Sequence, residues 1–390
     1  MYIETIKLRD FRNYDRLELQ PHPGINLLFG QNGSGKTNLL EAIHYCALGR
    51  SHRTPHDSEV VRKGSDMGAC GVTVHRQDSR TEVTVKLTPG EQRKKQVFLD
   101  RKKAARLSDL MGRVQCVIFS PEDLLLVREG PAVRRRYLDM LCSQLSPAYF
   151  TALQQYQTAL NERNALLRQA GKYDPLPQDM MEIYEQAMGR QCEILIPMRR
   201  RMSAQIAGLA GEKYQSIASR QAEPFTLEYR CCTDADTDLA PALCQQWKQL
   251  RREDQLRGTT TFGVHREDLL LKLSGRDMKL FASQGQVRTA ALSMKLCQLD
   301  LFRHESGEAP ILLLDDVMSE LDMTRRTALL QEISDVQTFV TCTDESDLDG
   351  CRDRRTYRVS LQPDFTAGLT ETGRGEEIAP AVEDEEPDFT

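Results

Sequence analysis

The chain has 390 residues, with 40% hydrophobic and 28% charged residues and a formal net charge of -5. This length excludes one continuous core and predicts two or three domains, while the composition is typical of an ordinary globular protein. No uninterrupted apolar stretch reaches the length of a membrane span, and the N-terminus lacks a basic start followed by an apolar run. We therefore expect a cytoplasmic protein without a membrane partner.

The first 120 residues are predicted to be rich in strands. Strand patterns occur at residues 2–8, 16–19 and 25–29, in the alternating stretch 71–87, and at residues 97–99 and 116–119. The third of these strands stops at Gly30, and a helix with apolar residues at helical spacing follows over residues 38–48. We predict that residues 1–120 form the first lobe of a head.

The middle of the chain is predicted to be helical. Helical periodicity runs through residues 131–145, 149–170 and 181–217, with Pro197 expected to kink the last helix. A glycine- and proline-containing turn separates the two longest helices, which indicates an antiparallel pair. Residues 121–222 are therefore predicted to be a helical arm inserted into the head.

Strand patterns return over residues 223–370, which we predict to be the second head lobe. They occur at residues 225–229 and 269–273, and residues 311–314 form a short apolar run typical of a buried parallel strand. Beyond this lobe, residues 371–390 contain eight carboxylates and one arginine, so they carry -7 and leave the body at +2. This segment has too little apolar surface to offset its ordering entropy, so we predict a disordered acidic tail.

The cysteines do not predict a metal site. The eleven residues are scattered, their number is odd, and none of them shows the paired C-x-x-C spacing of a zinc site. We expect reduced and mostly structural thiols.

The strongest motif is a phosphate-binding loop at residues 30–37, which match G-x-x-x-x-G-K-[ST] between a predicted strand and a predicted helix. In such a loop the backbone N–H groups and the helix N-terminus bind phosphate. Lys36 is expected to reach the β- and γ-phosphates, and Thr37 to offer its hydroxyl to Mg²⁺. The predicted nucleotide-binding residues are Gly30, Gln31, Asn32, Gly33, Ser34, Gly35, Lys36 and Thr37.

Two acidic residues follow the apolar run 311–314. The end of this strand should bring Asp315 beside the phosphate loop, where Asp315 and Thr37 are predicted to hold Mg²⁺. Asp316 is predicted to orient or deprotonate the attacking water as a catalytic general base. A role for Asp316 in binding the water molecules around Mg²⁺ stays open.

A second polar turn lies before a helix predicted over residues 287–302. It consists of Ser283, Gln284, Gly285 and Gln286, and as a glycine-containing helix start it is suited to bind an anion. One chain with two such helix starts suggests that two chains share each nucleotide, and the loop of residues 319–322 could cross their interface. The alternative is a capped helix and a solvated turn.

The order of these motifs resembles the ABC-type ATPase heads of SMC-like proteins, and it resembles the RecF family of DNA repair proteins more closely. The segments that look like RecF are LRDFRNY at residues 8–14, SPEDL at 120–124, RRRYLD at 134–139, ASQGQ at 282–286 and LLDDV at 313–317. Residues 263–268 read GVHRED and only approximate the family's G-P-H-R-D-D, which leaves the roles of His265 and Arg266 open.

The resemblance implies an α/β fold, namely an ABC-type P-loop head of two lobes with mixed sheets, flanking helices and an inserted helical arm. It implies ATP and Mg²⁺ as cofactors and a weak DNA-dependent ATPase that acts as a switch. It also implies an ATP-dependent homodimer that binds single-stranded and duplex DNA at gap junctions and works with RecO and RecR in loading RecA.

Several basic clusters are candidates for DNA contact. We predict that Lys94, Lys95, Lys102 and Lys103 contact phosphates. The arginines at residues 134–136 and 199–201 are further candidates, and pairing of residues 134–136 with acids within the head is an equally open alternative.

Other functional classes fit the motifs less well. The motif order excludes most P-loop kinases, and residues 149–170 would span only about 33 Å as a helix, too short for a long-armed SMC machine. The nucleotide-binding subunit of an ABC transporter is the alternative function. The chain has no histidine at residues 341–344, where such transporters place their switch residue.

Overall fold

The computed structural model describes residues 1–90, 95–171, 174–218, 223–345 and 354–372. The fold is mixed α/β. The strands are β1 (Tyr2–Phe11), β2 (Tyr14–Leu19), β3 (Ile25–Phe29), β4 (Gly68–His75), β5 (Arg80–Leu87), β6 (Lys95–Leu99), β7 (Lys102–Lys103), β8 (Cys116–Phe119), β9 (Phe225–Arg230), β10 (Asp268–Leu273), β11 (Arg276–Asp277), β12 (Ile311–Leu314), β13 (Thr338–Cys342), β14 (Arg354–Leu361) and β15 (Ala367–Glu371). The helices are α1 (Lys36–Leu48), α2 (Leu125–Arg128), α3 (Pro131–Leu145), α4 (Pro147–Gln169), α5 (Gln178–Ala218), α6 (Leu239–Arg257), α7 (Met278–Phe281), α8 (Gln284–Ser306) and α9 (Met323–Glu332).

The chain divides into two compact units. The first consists of residues 1–123, 216–220 and 292–390, and the second of residues 124–215 and 221–291. The predicted domain boundaries at residues 120, 222 and 370 stay predictions. Of the predicted acidic tail, residues 373–390 lie outside the described residues, as does Lys94.

One sheet of the first unit is antiparallel, with the strand order β2-β1-β4-β5-β6-β7. The strand β5 alternates between buried and more exposed side chains, with Val83 and Val85 buried between polar neighbours. Such alternation places one face of a sheet on a core and leaves the other face toward polar surroundings.

The other sheet of the first unit is mainly parallel, with the order β15-β14-β3-β13-β12-β8. Only β15 runs antiparallel to its neighbour. Every residue of β12, β13 and β8 is buried, which explains the continuous apolar run at residues 311–314. Because β3, β12 and β13 are parallel, their carboxyl ends meet at one edge, and the loop after Phe29 lies at the same edge as Asp315.

The second unit contains the long helices and the small sheet β11-β10-β9. The predicted helices correspond to α3, α4 and α5, and α5 continues through Pro197 as a single helix of 41 residues. The helix α6 was not predicted. Within the described residues, no helix combines the length and hydropathy needed to cross a membrane.

Candidate nucleotide-binding site

The loop after β3 depends on glycines with positive φ. Gly30, Gly33 and Gly35 have φ values of 152°, 81° and 115°. A Cβ on Gly30 would lie 2.1 Å from the carbonyl oxygen of Val359, and one on Gly35 would lie 2.7 Å from Asn13 Oδ1. At Gly33 a Cβ would meet nothing within 4 Å, so this part of the loop is open. The backbone therefore takes a path that side chains at residues 30 and 35 would block.

The loop contains polar groups that suit an anion. Lys36 begins α1, and its Nζ donates to the carbonyl oxygens of Gly30 at 2.7 Å and Gln31 at 3.0 Å. The hydroxyl oxygen of Ser34 is buried and has no hydrogen-bond partner. A buried hydroxyl without a partner costs free energy, and a phosphate oxygen would supply the missing bond. The residues present thus fit a phosphate-bearing ligand.

Two residues that are far apart in the chain meet beside this loop. The hydroxyl of Thr37 donates to Asp315 Oδ1 at 2.8 Å, and Thr341 Oγ1, from β13, donates to the same oxygen at 2.8 Å. Burial raises the pKa of Asp315, and the neighbouring Asp316 adds to the effect. Thr37 and Asp315 offer the hard oxygen ligands that Mg²⁺ prefers, so they fit the predicted metal site.

Asp316 lies at the same sheet edge in a strained backbone conformation. Its φ is 51°, which is uncommon for a residue other than glycine. Its backbone N–H donates to Thr341 Oγ1 at 2.9 Å. Because such strain occurs often at functional sites, this geometry is consistent with the role predicted for Asp316.

Residues of the N-terminal segment donate hydrogen bonds to the loop. These contacts were not predicted from the sequence. Asn13 Nδ2 donates to the carbonyl oxygen of Ser34 at 3.0 Å, and Tyr14 OH donates to that of Gly35 at 3.2 Å. Asn38 Nδ2 in turn donates to Asn13 Oδ1 at 2.8 Å. The RecF-like segment at residues 8–14 thus helps to set the shape of the loop.

A buried carboxylate in α1 organises a second group of residues that the sequence did not reveal. Glu41 accepts hydrogen bonds from Arg12 at 2.7 and 2.8 Å and from the hydroxyl of Ser51. Arg53 approaches the same carboxylate at 3.5 Å. Burial favours a raised pKa for Glu41, but these hydrogen bonds outweigh it and lower the pKa, so the group stays ionised.

The second predicted phosphate site lies in the second unit, at the start of α8. The backbone N–H of Ser283 donates to Gln286 Oε1 at 2.8 Å, and that of Gln286 donates to Ser283 Oγ at 3.3 Å. This reciprocal pair is a capping box. Ser283 and Gln284 are exposed, while Gly285 and Gln286 are partly exposed. The helix is therefore capped by its own residues, and the turn remains accessible.

The predicted interface loop at residues 319–322 follows Asp316. Ser319 is exposed, and its hydroxyl donates to the carbonyl oxygen of Asp316 at 3.0 Å. Asp322 caps α9 by accepting from the backbone N–H of Arg325 at 3.0 Å. This loop is thus connected directly to the acidic pair.

The basic residues differ in their availability to DNA. Lys102 and Lys103 are exposed in β7, whereas Lys95 donates to the carbonyl oxygen of Gly49 at 2.5 Å and pairs with Asp57 at 2.9 Å.

For Arg134 the structure favours the open alternative of pairing with an acid, and Arg199 is paired with acids as well. Arg134 is buried and pairs with Asp268, and Arg199 is buried and pairs with Asp139 and Glu267.

The residues 263–268 have structural contacts in the second unit. His265 Nδ1 lies 2.7 Å from Tyr156 OH, and its Nε2 lies 3.0 Å from the carbonyl oxygen of Thr260. Arg266 donates to the same carbonyl oxygen at 2.8 Å.

Comparison with protein families places the chain among RecF proteins and SMC heads. The family model described as "RecF/RecN/SMC N terminal domain" matches residues 2–366. The "DNA replication and repair protein RecF" of Alkaliphilus oremlandii is 38% identical over 348 residues, which cover 88% of this chain and 93% of that protein. The protein of the same name from Symbiobacterium thermophilum is 37% identical over 369 residues, which cover 92% of this chain and 96% of that protein.

Solved structures give the same result. The recombination mediator protein RecF of the RecFOR pathway, solved with ATPrS, superposes with a TM-score of 0.84 at 30% identity, covering 94% of this chain and 98% of the other. A Smc head domain from Pyrococcus furiosus, solved with the C-terminal domain of ScpA, has a TM-score of 0.56 at 14% identity, covering 95% of this chain and 96% of the other, and shows a shared fold alone. The predicted ABC-type head is thereby confirmed as the fold class.

Proposed function

Because this chain belongs to the RecF family, we propose that it is an ATP-dependent DNA-binding protein of recombinational repair and replication restart. In this proposal ATP drives a homodimer that binds DNA at single-strand gaps in the cytoplasm. The dimer aids RecA loading together with RecO and RecR, and slow DNA-dependent ATP hydrolysis acts as its switch. The observation that carries the proposal is the 38% identity to a RecF protein over 88% of the chain.

The loop of residues 30–37 is the nucleotide site in this proposal. Its support is the open backbone at Gly33, the buried hydroxyl of Ser34 without a partner, and the ammonium of Lys36 at the start of α1. Lys36 would exchange its two carbonyl contacts for the charge of the β- and γ-phosphates, while the backbone N–H groups bind the phosphate oxygens. A RecF protein in the same fold has been solved with ATP, which agrees with this assignment.

Asp315 and Thr37 hold Mg²⁺ in this proposal, and Asp316 acts on water. The metal ion would supply positive charge that neutralises the phosphates during transfer. Asp315 is suited to ligation because two hydroxyls fix the position of its Oδ1. Asp316 is more exposed than Asp315, so its carboxylate is accessible to a water molecule that it can orient or deprotonate.

The turn of residues 283–286 completes the nucleotide site of a second copy. Ser283 is exposed and lies at the N-terminus of a 23-residue helix, where the partial positive charge favours phosphate. The residues just before it also suit an interface, since Leu280 and Phe281 are 71% and 68% exposed. Exposed large apolar side chains beside a phosphate-binding turn are expected where a partner covers them. Gln284, Gly285 and Gln286 belong to the same contact.

Contact with DNA is assigned to exposed lysines of the first unit. Lys102 and Lys103 are fully available, and Lys94 and Lys95 extend the predicted group, although Lys95 would have to leave Asp57. Contacts of this kind bind the phosphate backbone without reading sequence. The affinity for duplex DNA should then fall with salt, with a slope of about -0.9 per phosphate on logarithmic axes.

The proposal is tested by measuring the mass of the protein in solution with and without ATP, and then with gapped DNA. We expect a monomer without nucleotide, a dimer with ATP, and preferential binding of the dimer to gapped over blunt duplex DNA. A monomer in both conditions, or DNA binding that does not respond to ATP and salt, would contradict it.

The alternative function, a nucleotide-binding subunit of an ABC transporter, has lost its support. Two RecF proteins match 88% and 92% of this chain. Affinity purification from cells distinguishes the two functions, because one predicts DNA with repair proteins and the other predicts a membrane permease.

A further inference from the structure

Two neighbouring cysteines lie together with a carboxylate in the second unit. Consecutive side chains of a strand point to opposite faces, but β9 ends at Arg230 and the chain bends at Cys232. As a result the Sγ atoms of Cys231 and Cys232 and a carboxylate oxygen of Glu267 lie within 4.8 Å of one another. Within the described residues, this is the group of cysteine, histidine and acidic side chains whose spacing suits a metal ion.

The carboxylate of Glu267 is held with one oxygen toward the two cysteines. Its Oε1 accepts from Cys231 Sγ at 3.3 Å and from the backbone N–H of Cys232 at 3.2 Å. Its Oε2 accepts from Arg199 at 2.6 Å and from Tyr229 OH at 2.5 Å. Hydrogen bonds of this kind fix the orientation of ligating carboxylates in metal sites.

We propose that Cys231, Cys232 and Glu267 form a binding site for a thiophilic divalent cation of the zinc class, with water as the fourth ligand. Zinc takes thiolate sulfur at about 2.3 Å and carboxylate oxygen at about 2.1 Å, so tetrahedral ligands lie about 3.8 Å apart. Atoms already within 4.8 Å need to close by about 1 Å at most.

The local charge is compatible with such an ion. Two thiolates and one carboxylate supply three negative charges, of which the cation neutralises two. Arg199 pairs with Glu267 and Asp139, so its positive charge lies beside the site and offsets the remaining negative charge. Binding releases the two thiol protons to solvent. Both cysteines are partly exposed, which gives an ion access from solvent.

A bound ion would tie together parts of the second unit that are distant in the chain. It would link the end of β9 to residue 267, and through Arg199 it would extend to α5. Because an ion that binds only the folded chain stabilises it by mass action, the melting temperature should rise with zinc concentration.

A competing account is that the thiols only serve as hydrogen-bond donors to Glu267. Serine separates the two accounts, because its hydroxyl can donate to the carboxylate but is a poor ligand for a thiophilic ion. Cys244→Ser is a matched control, since Cys244 is also a partly exposed free thiol of the second unit but lies outside the cluster.

The experiment uses the reduced full chain without nucleotide, titrated with Zn²⁺ against a chelating indicator and with Co²⁺ as a spectroscopic probe. We expect one tight Zn²⁺ per chain and a thiolate-to-cobalt charge-transfer band. Cys231→Ser and Cys232→Ser should each weaken Zn²⁺ binding by at least about tenfold and reduce the band, while Cys244→Ser should leave both unchanged.

The proposal is overturned if the unmodified chain gives no thiolate-to-cobalt band. It is overturned equally if the Cys231→Ser/Cys232→Ser double variant binds Zn²⁺ as tightly as the unmodified chain. The absence of the band in the unmodified chain overturns the proposal even if a variant does not fold.

Discussion

Two regions of the molecule differ in whether their buried polar groups have partners. One is a network of buried ion pairs around Arg163 in the second unit, and the other is the nucleotide loop of residues 30–37 in the first unit. In the network, Arg163 is completely buried and donates to Glu185 at 3.0 Å, Asp254 at 2.7 Å and Thr260 at 2.8 Å. Arg251 holds both carboxylate oxygens of Glu185. Each carboxylate of this network therefore has a cationic partner.

The nucleotide loop leaves bonding capacity unused. The hydroxyl of Ser34 has no partner, and the ammonium of Lys36 contacts only backbone carbonyl oxygens. Saturated charges hold a fixed structure, whereas unsatisfied groups cost stability and remain available to a ligand. The comparison therefore predicts that substitutions in the network mainly change stability and that substitutions at the nucleotide site mainly change ligand binding.

The largest effect is expected from Arg163→Met, which removes the central cation and leaves Asp254 buried without its partner. Breaking a buried ion pair on one side costs about 3–5 kcal/mol, so the free energy of unfolding should fall by that amount. Urea denaturation followed by circular dichroism measures this change.

Arg257→Met is the matched control for Arg163→Met. Arg257 pairs with Glu253 on the exposed surface of α6, at side-chain exposures of 63% and 47%. Exposed pairs of this type contribute about 0.5 kcal/mol or less, so the control should be nearly neutral. Equal losses in the two variants would show that the buried network has no special role.

The second prediction concerns how the stability depends on pH, and it compares one buried histidine from each unit. His52 in the first unit has both ring nitrogens buried without partners, whereas both ring nitrogens of His265 in the second unit have partners. Burial lowers the pKa of each to about 4 from 6.5. As the pH falls below 6.5, the two histidines become protonated in the unfolded chain but stay neutral in the folded chain. The free energy of unfolding therefore decreases as the pH falls toward about 4.

From pH 6.5 to about 5, each of the two histidines should contribute a loss of about 2 kcal/mol. Unfolding measured over this range should therefore become less dependent on pH in His52→Leu and in His265→Gln. At pH 7 the two variants should differ, because only His265→Gln loses hydrogen bonds in the folded state. If the variants keep the pH dependence of the unmodified chain, the loss of stability between pH 6.5 and 5 does not come from these two histidines.

The smallest effect on stability is expected from Asp315→Asn. Burial and the neighbouring Asp316 raise the pKa of Asp315, so its charge is unfavourable in the folded protein. The amide oxygen can still accept from Thr37 and Thr341, so the free energy of unfolding should stay the same or rise slightly. Binding of Mg²⁺-ATP should nevertheless weaken, which calorimetry detects.

Asp316→Asn is the comparison for this variant, because Asp316 is proposed to act on water and not on the metal. It should retain ATP binding, accumulate the dimer and lose hydrolysis. Equal defects of the two variants in nucleotide binding would show that this division of roles is incorrect.

The elements that the sequence predicted are those whose signal is local. The loop of residues 30–37 and the run before Asp315 are continuous patterns, and the structure brings Thr37 to 2.8 Å from Asp315. The strand β13 was missed because two of its five buried residues are threonines, which interrupt the apolar run that marks a buried strand. The missed helix α6 is rich in polar and charged residues and exposes most of its surface.

The remaining parts of the site depend on partners that are distant in the chain. Nothing near Asn13 in the sequence shows that its amide contacts Ser34, and nothing near Arg199 shows that Glu267 neutralises it. Arg199 looked like a surface cation because its neighbours are also arginines. Only the fold shows that consecutive arginines on α5 have different surroundings, since Arg199 is buried and Arg201 is exposed.

The central claim is that two copies share each nucleotide, with Ser283 of one copy at the phosphate loop of the other. The direct measurement is the ATPase activity of a mixture of Ser283→Arg and Lys36→Ala. Each variant alone should be inactive: Lys36→Ala because it loses the charge that holds the phosphates, and Ser283→Arg because it binds ATP as a monomer but does not dimerise. A mixed dimer has one pocket with both defects and one with neither, so the mixture should regain part of the activity. A Ser283→Arg monomer that has lost ATP binding would contradict the shared site, because the turn of residues 283–286 would then act on the nucleotide of its own chain.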